Sequence, residues 1–132
     1  MFLLDTNTCI QLWQRNNLTV RRRFSAYSPS QIALCSVVKG ELWYGAQRSQ
    51  RASHNMQLLD ALFAPLQSLA FDDAAAEHYA QIRADLTLKG QLIGANDLLI
   101  AAIARAHNTT LVTHNTGEFC RVVGLSLVDW EI

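Results

Sequence analysis

No run of apolar residues in this chain approaches the ~20 needed to cross a bilayer as a helix, and the apolar start at residues 1–4 meets Asp5 at once. Neither a membrane span nor a signal peptide is expected, and the chain reads as soluble and cytoplasmic. Net charge is also missing: eleven Lys and Arg balance eleven Asp and Glu. The chain therefore has no overall basic footprint for nucleic acid, and such a partner must be held by a local patch. Cysteines are few: Cys9, Cys35 and Cys120 lack the close Cys-x-x-Cys spacing of zinc and redox sites, and read as reduced thiols. Lysines are fewer still, and with only Lys39 and Lys89 present a phosphoacceptor receiver domain lacks the late lysine it needs beside its acids. Neither Gly-x-Gly-x-x-Gly nor Gly-Lys-Ser/Thr occurs, which sets aside the dinucleotide and P-loop folds. No repeat, linker or low-complexity tract divides the chain, so residues 1–132 are expected to form one domain.

Half of the residues are hydrophobic, and they are distributed in two periods. Short apolar runs at 1–4, 31–35, 66–71, 110–113 and 125–130 read as buried strands. Helical spacing fills most of the intervals: 36–49 with Ser36 as its N-cap, 52–64, and a long helix from Asp73 stopped by Gly90. A further helix, "DLLIAAIARA", is capped by Asn96, is apolar all round as a helix packed in the interior should be, and is closed by His107 and Asn108. Strands alternating with helices predict a three-layer α/β domain with a central, mainly parallel sheet flanked by helices. In such a domain ligands bind beyond the carboxyl ends of the strands.

Three acids fall at such ends. Asp5 ends the first strand, Glu41 lies in the second turn after the second, and Asp97 opens the interior helix. Singly, Asp5 can cap a helix starting near Thr6, Glu41 can face solvent, and Asp97 can favour a helix dipole. Convergence changes the balance: two like charges ~4 Å apart repel by about 4 kcal/mol at an effective dielectric of 20, against the ~1 kcal/mol a helix terminus returns. A carboxylate cluster needs a cation, and oxygen ligands without cysteine or histidine suit Mg²⁺ or Mn²⁺.

With these residues in place the chain resembles the PIN-domain ribonucleases and, among them, the VapC toxins of bacterial toxin–antitoxin pairs. The carriers are "LLDTNTCI" (3–10), "SVVKGELWYGA" (36–46), "IGANDLLIAA" (93–102) and "LVTHNTGEF" (111–119), specific in their order and spacing over nearly the whole chain. The resemblance places the family's first three acids on Asp5, Glu41 and Asp97 as catalytic metal ligands. Its frequent fourth acid falls on Asn115, where the amide oxygen, the Thr113 hydroxyl and the Glu118 carboxylate can share the role. Thr6 and Asn7, of the family's "DTN", can hydrogen-bond the first carboxylate or a metal-bound water; they can equally be helix-start residues. The implied activity is metal-dependent endoribonuclease cleavage leaving a 5′-phosphate and a 3′-hydroxyl, since water attacks rather than the ribose 2′-hydroxyl. The implied target in the VapC branch is the anticodon loop of initiator tRNA, with inhibition of translation as the outcome. The implied partners are a VapB-type antitoxin that pushes a basic side chain toward the acids, and a second copy of the chain as a homodimer.

Other features have two readings. Trp13, Trp43 and Tyr44 lie near the first and third helices, where core packing competes with antitoxin contact. Arg21, Arg22, Arg23, Arg48, Arg51 and Lys89 can meet phosphates, but three consecutive arginines cannot share one helix face. Of the four scattered histidines only His114 adjoins a motif. A phosphotransferase of the haloacid-dehalogenase type needs an acid where Asn7 stands. The alternative from another class is a catalytically inactive PIN-like module that binds RNA or protein, to which Asn115 lends weight and three intact acids do not.

Overall fold

The computed structural model describes all of residues 1–132. Five short strands, β1 (Phe2–Leu4), β2 (Ile32–Cys35), β3 (Gln67–Leu69), β4 (Thr110–Val112) and β5 (Ser126–Val128), form one sheet in the order β3-β2-β1-β4-β5. Every neighbouring pair is parallel. Parallel pairing needs a crossover between strands. The helices α1 (Thr6–Trp13), α2 (Leu18–Ser25), α3 (Ser36–Gln47), α4 (Ala52–Phe63), α5 (Asp73–Leu88), α6 (Ala95–Ala106) and α7 (Thr116–Phe119) supply the crossovers.

Consecutive residues of the inner strands are buried rather than alternate ones: Leu3 and Leu4 of β1, all four of β2, Leu111 and Val112 of β4. A strand buried on both faces is the mark of a sheet covered on both sides, hence of three layers. α6 is the apolar rod beside the sheet, with Leu98, Ile100, Ala101, Ala102, Ile103 and Ala104 all buried. Its alanines let it approach the sheet closely, and it belongs to one continuous core of 30 buried apolar residues.

Some element boundaries differ from expectation. α6 starts at Ala95 with Gly94 in the cap position, so Asn96 is inside the helix and does not cap it. α3 is entered from Cys35, and Ser36 is its first residue rather than its cap. The last strand ends at Val128, and Trp130 beyond it is buried against Phe2 and Tyr27. α2 arises from "LTVRRRFS", whose three arginines stand exposed while Val20 alone is buried. Asn17 caps it, accepting from the N–H groups of Thr19 and Val20.

Candidate functional site

The order β3-β2-β1-β4-β5 sends the chain one way from β1 to β3 and then back to the far side of β1 for β4. The crossovers on either side of β1 therefore diverge and leave a crevice at its carboxyl end. Asp5 is the residue at that end. It is buried, its N–H donates to Val112 O (3.1 Å), and its Oδ1 accepts from Thr8 N–H (2.8 Å), capping α1. The capping role and the site role coexist, because capping engages Oδ1 alone and Asp5 still lines the crevice. Thr8 fastens the turn from the other side by donating its hydroxyl to Val112 O (3.2 Å).

Glu41 reaches the same crevice from the second turn of α3, and Asp97 from the first turn of α6. With Thr6, Asn7, Ile10, Asn115 and Phe119 they line a cavity of about 270 Å³. Burial pushes the Asp97 carboxyl above its ordinary value, and Glu118, Asp5 and Glu41 raise it further, in that order. Three acids thus act on Asp97 at the carboxyl end of β1.

Glu118 stands on α7 and accepts from the Asn115 amide (Nδ2 to Oε2, 3.1 Å). Asn115 therefore donates toward an acid one turn along. Thr113 is placed differently from the expectation of a donor facing the crevice: it is fully buried, and its Oγ1 accepts from Asn115 N–H (3.0 Å), shaping the turn without forming the cavity wall. Asn7 lines the cavity from an exposed position. Ile10 and Phe119 were not singled out from the sequence. Ile10 closes "LLDTNTCI" one helical turn after Thr6, and Phe119 closes "LVTHNTGEF" directly after Glu118, and those places in the motifs were the available signal.

Two observations bear on a cation. The donors are carboxylates, a hydroxyl and amides, an oxygen set that suits a hard divalent ion. The Thr6 hydroxyl is buried on the cavity wall with no hydrogen-bond partner, although buried hydroxyls are generally satisfied. The residues fit a divalent metal, which would answer both the repulsion among the acids and the orphaned hydroxyl.

A second depression, of about 500 Å³, opens beside the first and shares Thr6, Ile10 and Glu41 with it. It runs between α1, α3 and α4, and its apolar lining includes Trp13, Leu42, Leu58, Leu59 and Leu62. Trp13 lines the groove and, like Trp43, packs on Phe63, whereas Tyr44 is exposed beside Arg48. Of the arginine triplet, Arg21 bonds Asn16 and Arg23 bonds the Ile132 carbonyl.

Comparison with known proteins places these features in context. Residues 2–125 match the PIN domain model. The chain is 40% identical over 130 residues to the tRNA(fMet)-specific endonuclease VapC of Shigella flexneri, covering 98% of each chain. It superposes on the DNA-bound VapBC of Salmonella typhimurium with a TM-score of 0.92 at 36% identity, covering 98% of this chain and 97% of that one. The promoter-DNA-bound VapBC2 of Rickettsia felis gives a TM-score of 0.91 at 35% identity, with 98% of each chain covered.

Proposed function

This chain belongs to the PIN-domain family, in its VapC branch, and from that premise we propose that it is a divalent-metal-dependent endoribonuclease of a toxin–antitoxin pair. The observation that carries the reading is the meeting of Asp5, Glu41 and Asp97 on one cavity, with Glu118 acting on Asp97 from α7. These acids are the proposed holders of Mg²⁺ or Mn²⁺. The ion supplies an acidified water at neutral pH and neutralises charge on the phosphoryl group.

The chain's own residues do the rest. The Asp5 carboxylate is held on the cavity wall by the bond its Oδ1 accepts from Thr8 N–H. The Asn115 amide draws Glu118 to the same rim, which compensates for the missing fourth acid. The Thr6 hydroxyl has a hydrogen-bond capacity unspent in the protein, available to a water or a phosphate oxygen. Attack by water rather than by the ribose 2′-hydroxyl leaves a 5′-phosphate and a 3′-hydroxyl. A single-stranded RNA loop suits so narrow a site, because only a splayed backbone can enter it.

The proposed substrate is initiator tRNA, cut in its anticodon loop, after the substrate in the name of the Shigella flexneri relative. The proposed inhibitor is a VapB-type antitoxin lying in the groove between α1, α3 and α4 and directing a basic side chain past Thr6 and Glu41 toward the acids. The toxin unit is proposed to be a homodimer of single-domain chains acting in the cytoplasm; no helix is long and apolar enough to cross a membrane. The inactive binding module is not favoured, because all three acids line the cavity.

Cleavage of initiator tRNA by purified protein with Mg²⁺ or Mn²⁺ tests the reading. Cutting that a chelator stops, and that both Asp5→Asn and Asp97→Asn lower by about 10²-fold or more, is the expected result. Cutting unchanged by either variant, or none with any RNA, overturns it.

A further inference from the structure

Outside the acidic cavity, the turn after β4 and the residues after β5 bring His114, Asp129 and Glu131 together, with one potential ligand atom from each lying within 4.8 Å of the others. His114 Nδ1 is 2.8 Å from Asp129 Oδ2 and 3.7 Å from Glu131 Oε2. Two acids beside a histidine are often no more than an ion pair, but two details here go further. Asp129 Oδ1 is committed to Glu131 N–H (2.8 Å), which fixes its other oxygen toward the histidine in the manner of an oriented metal ligand. Glu131 Oε2 is buried and accepts no hydrogen bond, an acceptor turned into the cluster with nothing to accept from. Trp130, stacked on Tyr27 with centroids 5.9 Å apart, anchors the backbone between the two acids.

We propose that His114, Asp129 and Glu131 form a second metal site, taking a borderline divalent ion such as Zn²⁺. One imidazole nitrogen with two carboxylate oxygens is a zinc donor set, and an open fourth position faces solvent beside the half-exposed histidine. Ligand atoms about a tetrahedral ion with ~2.05 Å bonds lie about 3.3 Å apart, between the two distances observed. Occupancy therefore requires the His114–Asp129 pair to open by a few tenths of an ångström and Glu131 to close by a similar amount. An ion there would fasten residues 129–131 to the turn that carries Asn115, and so brace the rim of the acidic cavity from behind. This site is independent of the nuclease reading, because none of its three residues lines that cavity.

The protein carrying Asp5→Asn and Asp97→Asn, which weakens the acidic cavity as a competitor, is titrated with Zn²⁺ by calorimetry, alone and with His114→Ala added. One Zn²⁺ per chain in the first, weakened tenfold or more by His114→Ala and not displaced by excess Mg²⁺, is expected. Absence of binding in the first, equal binding in both, or ready displacement by Mg²⁺ overturns the proposal. Glu131→Gln gives an independent check that leaves the histidine in place: bound Co²⁺ changes its visible spectrum relative to the parent if Glu131 is a ligand, and an unchanged spectrum removes Glu131 from the site.

Discussion

A single carboxylate shows the conflict built into the acidic cavity. Burial, Glu118, Asp5 and Glu41 all raise the Asp97 carboxyl above its ordinary value of 3.8. A raised acid favours its protonated form in the folded state, so its stabilising contribution is present below pH 3.8 and is lost as pH rises through the folded value. In chelator, Asp97→Asn should therefore melt higher than the parent at neutral pH, with the difference shrinking toward acid. If Asp97 belongs to the proposed metal site, the same variant should lose most of whatever rise in Tm Mg²⁺ or Mn²⁺ gives the parent; an equal rise in both would remove Asp97 from that proposed site. The thiols behave differently from one another. Burial pushes Cys9 and Cys35 up, and Cys120 is exposed, so a thiol reagent should label one cysteine in the native protein and three in denaturant. Rapid native labelling of a second thiol would contradict the burial. The positions of Asp5, Glu41 and Asp97 were legible because strand and helix periods mark where elements end. The Thr6 hydroxyl was not, since whether a hydroxyl is satisfied depends on neighbours that no spacing reveals. Glu118 was half legible: its place in "THNTGEF" is plain, but only the fold brings α7 close enough for it to act on Asp97.

Among the elements, α6 is held by its flank as well as by its apolar faces. Arg105 near its end donates from Nε to His78 Nδ1 (2.8 Å) and from Nη2 to Gln81 Oε1 (2.8 Å) on α5, and from Nη1 to Val123 O (3.0 Å). Three bonds in one planar fork tie two helices to the turn before β5. Arg105→Ala should lower stability by about 1–3 kcal/mol in urea titration, and Arg105→Lys should recover little, because an ammonium cannot serve three directions in a plane. A lysine variant as stable as the parent would show that charge alone suffices. All five strands were legible from their apolar runs, with ends overextended by one or two residues. "LSLVDW" is instructive: Trp130 satisfies the strand pattern but leaves the sheet to stack on Tyr27, a tertiary choice that period alone does not encode. α2 escaped notice because only Val20 of its eight residues is buried, leaving almost no apolar stripe to read. α6 begins earlier than Asn96 because the chain enters it from Gly94, so Asn96 sits within the first turn.

At the scale of the whole molecule, one core of 30 residues runs through every layer, and a chain with one continuous core should unfold as a single unit. Urea unfolding followed by far-UV circular dichroism and by tryptophan fluorescence is expected to give coincident transitions, since Trp13 and Trp43 report from around Phe63 and Trp130 from beside Phe2 and Tyr27. Two separated midpoints would divide the chain into independent parts. The register of the central strand also bears on synthesis. β1 is the first strand made, yet Phe2 pairs with Thr110 on one side, and Asp5 N–H finds its acceptor only in Val112. Chains emerge from the ribosome at about 5–20 residues per second, so Asp5 is outside long before Asp97 and Glu118 have been translated. A half-made chain carries Asp5 and Glu41 without Asp97 and Glu118, so the four acids come together only when nearly the last residues are in place.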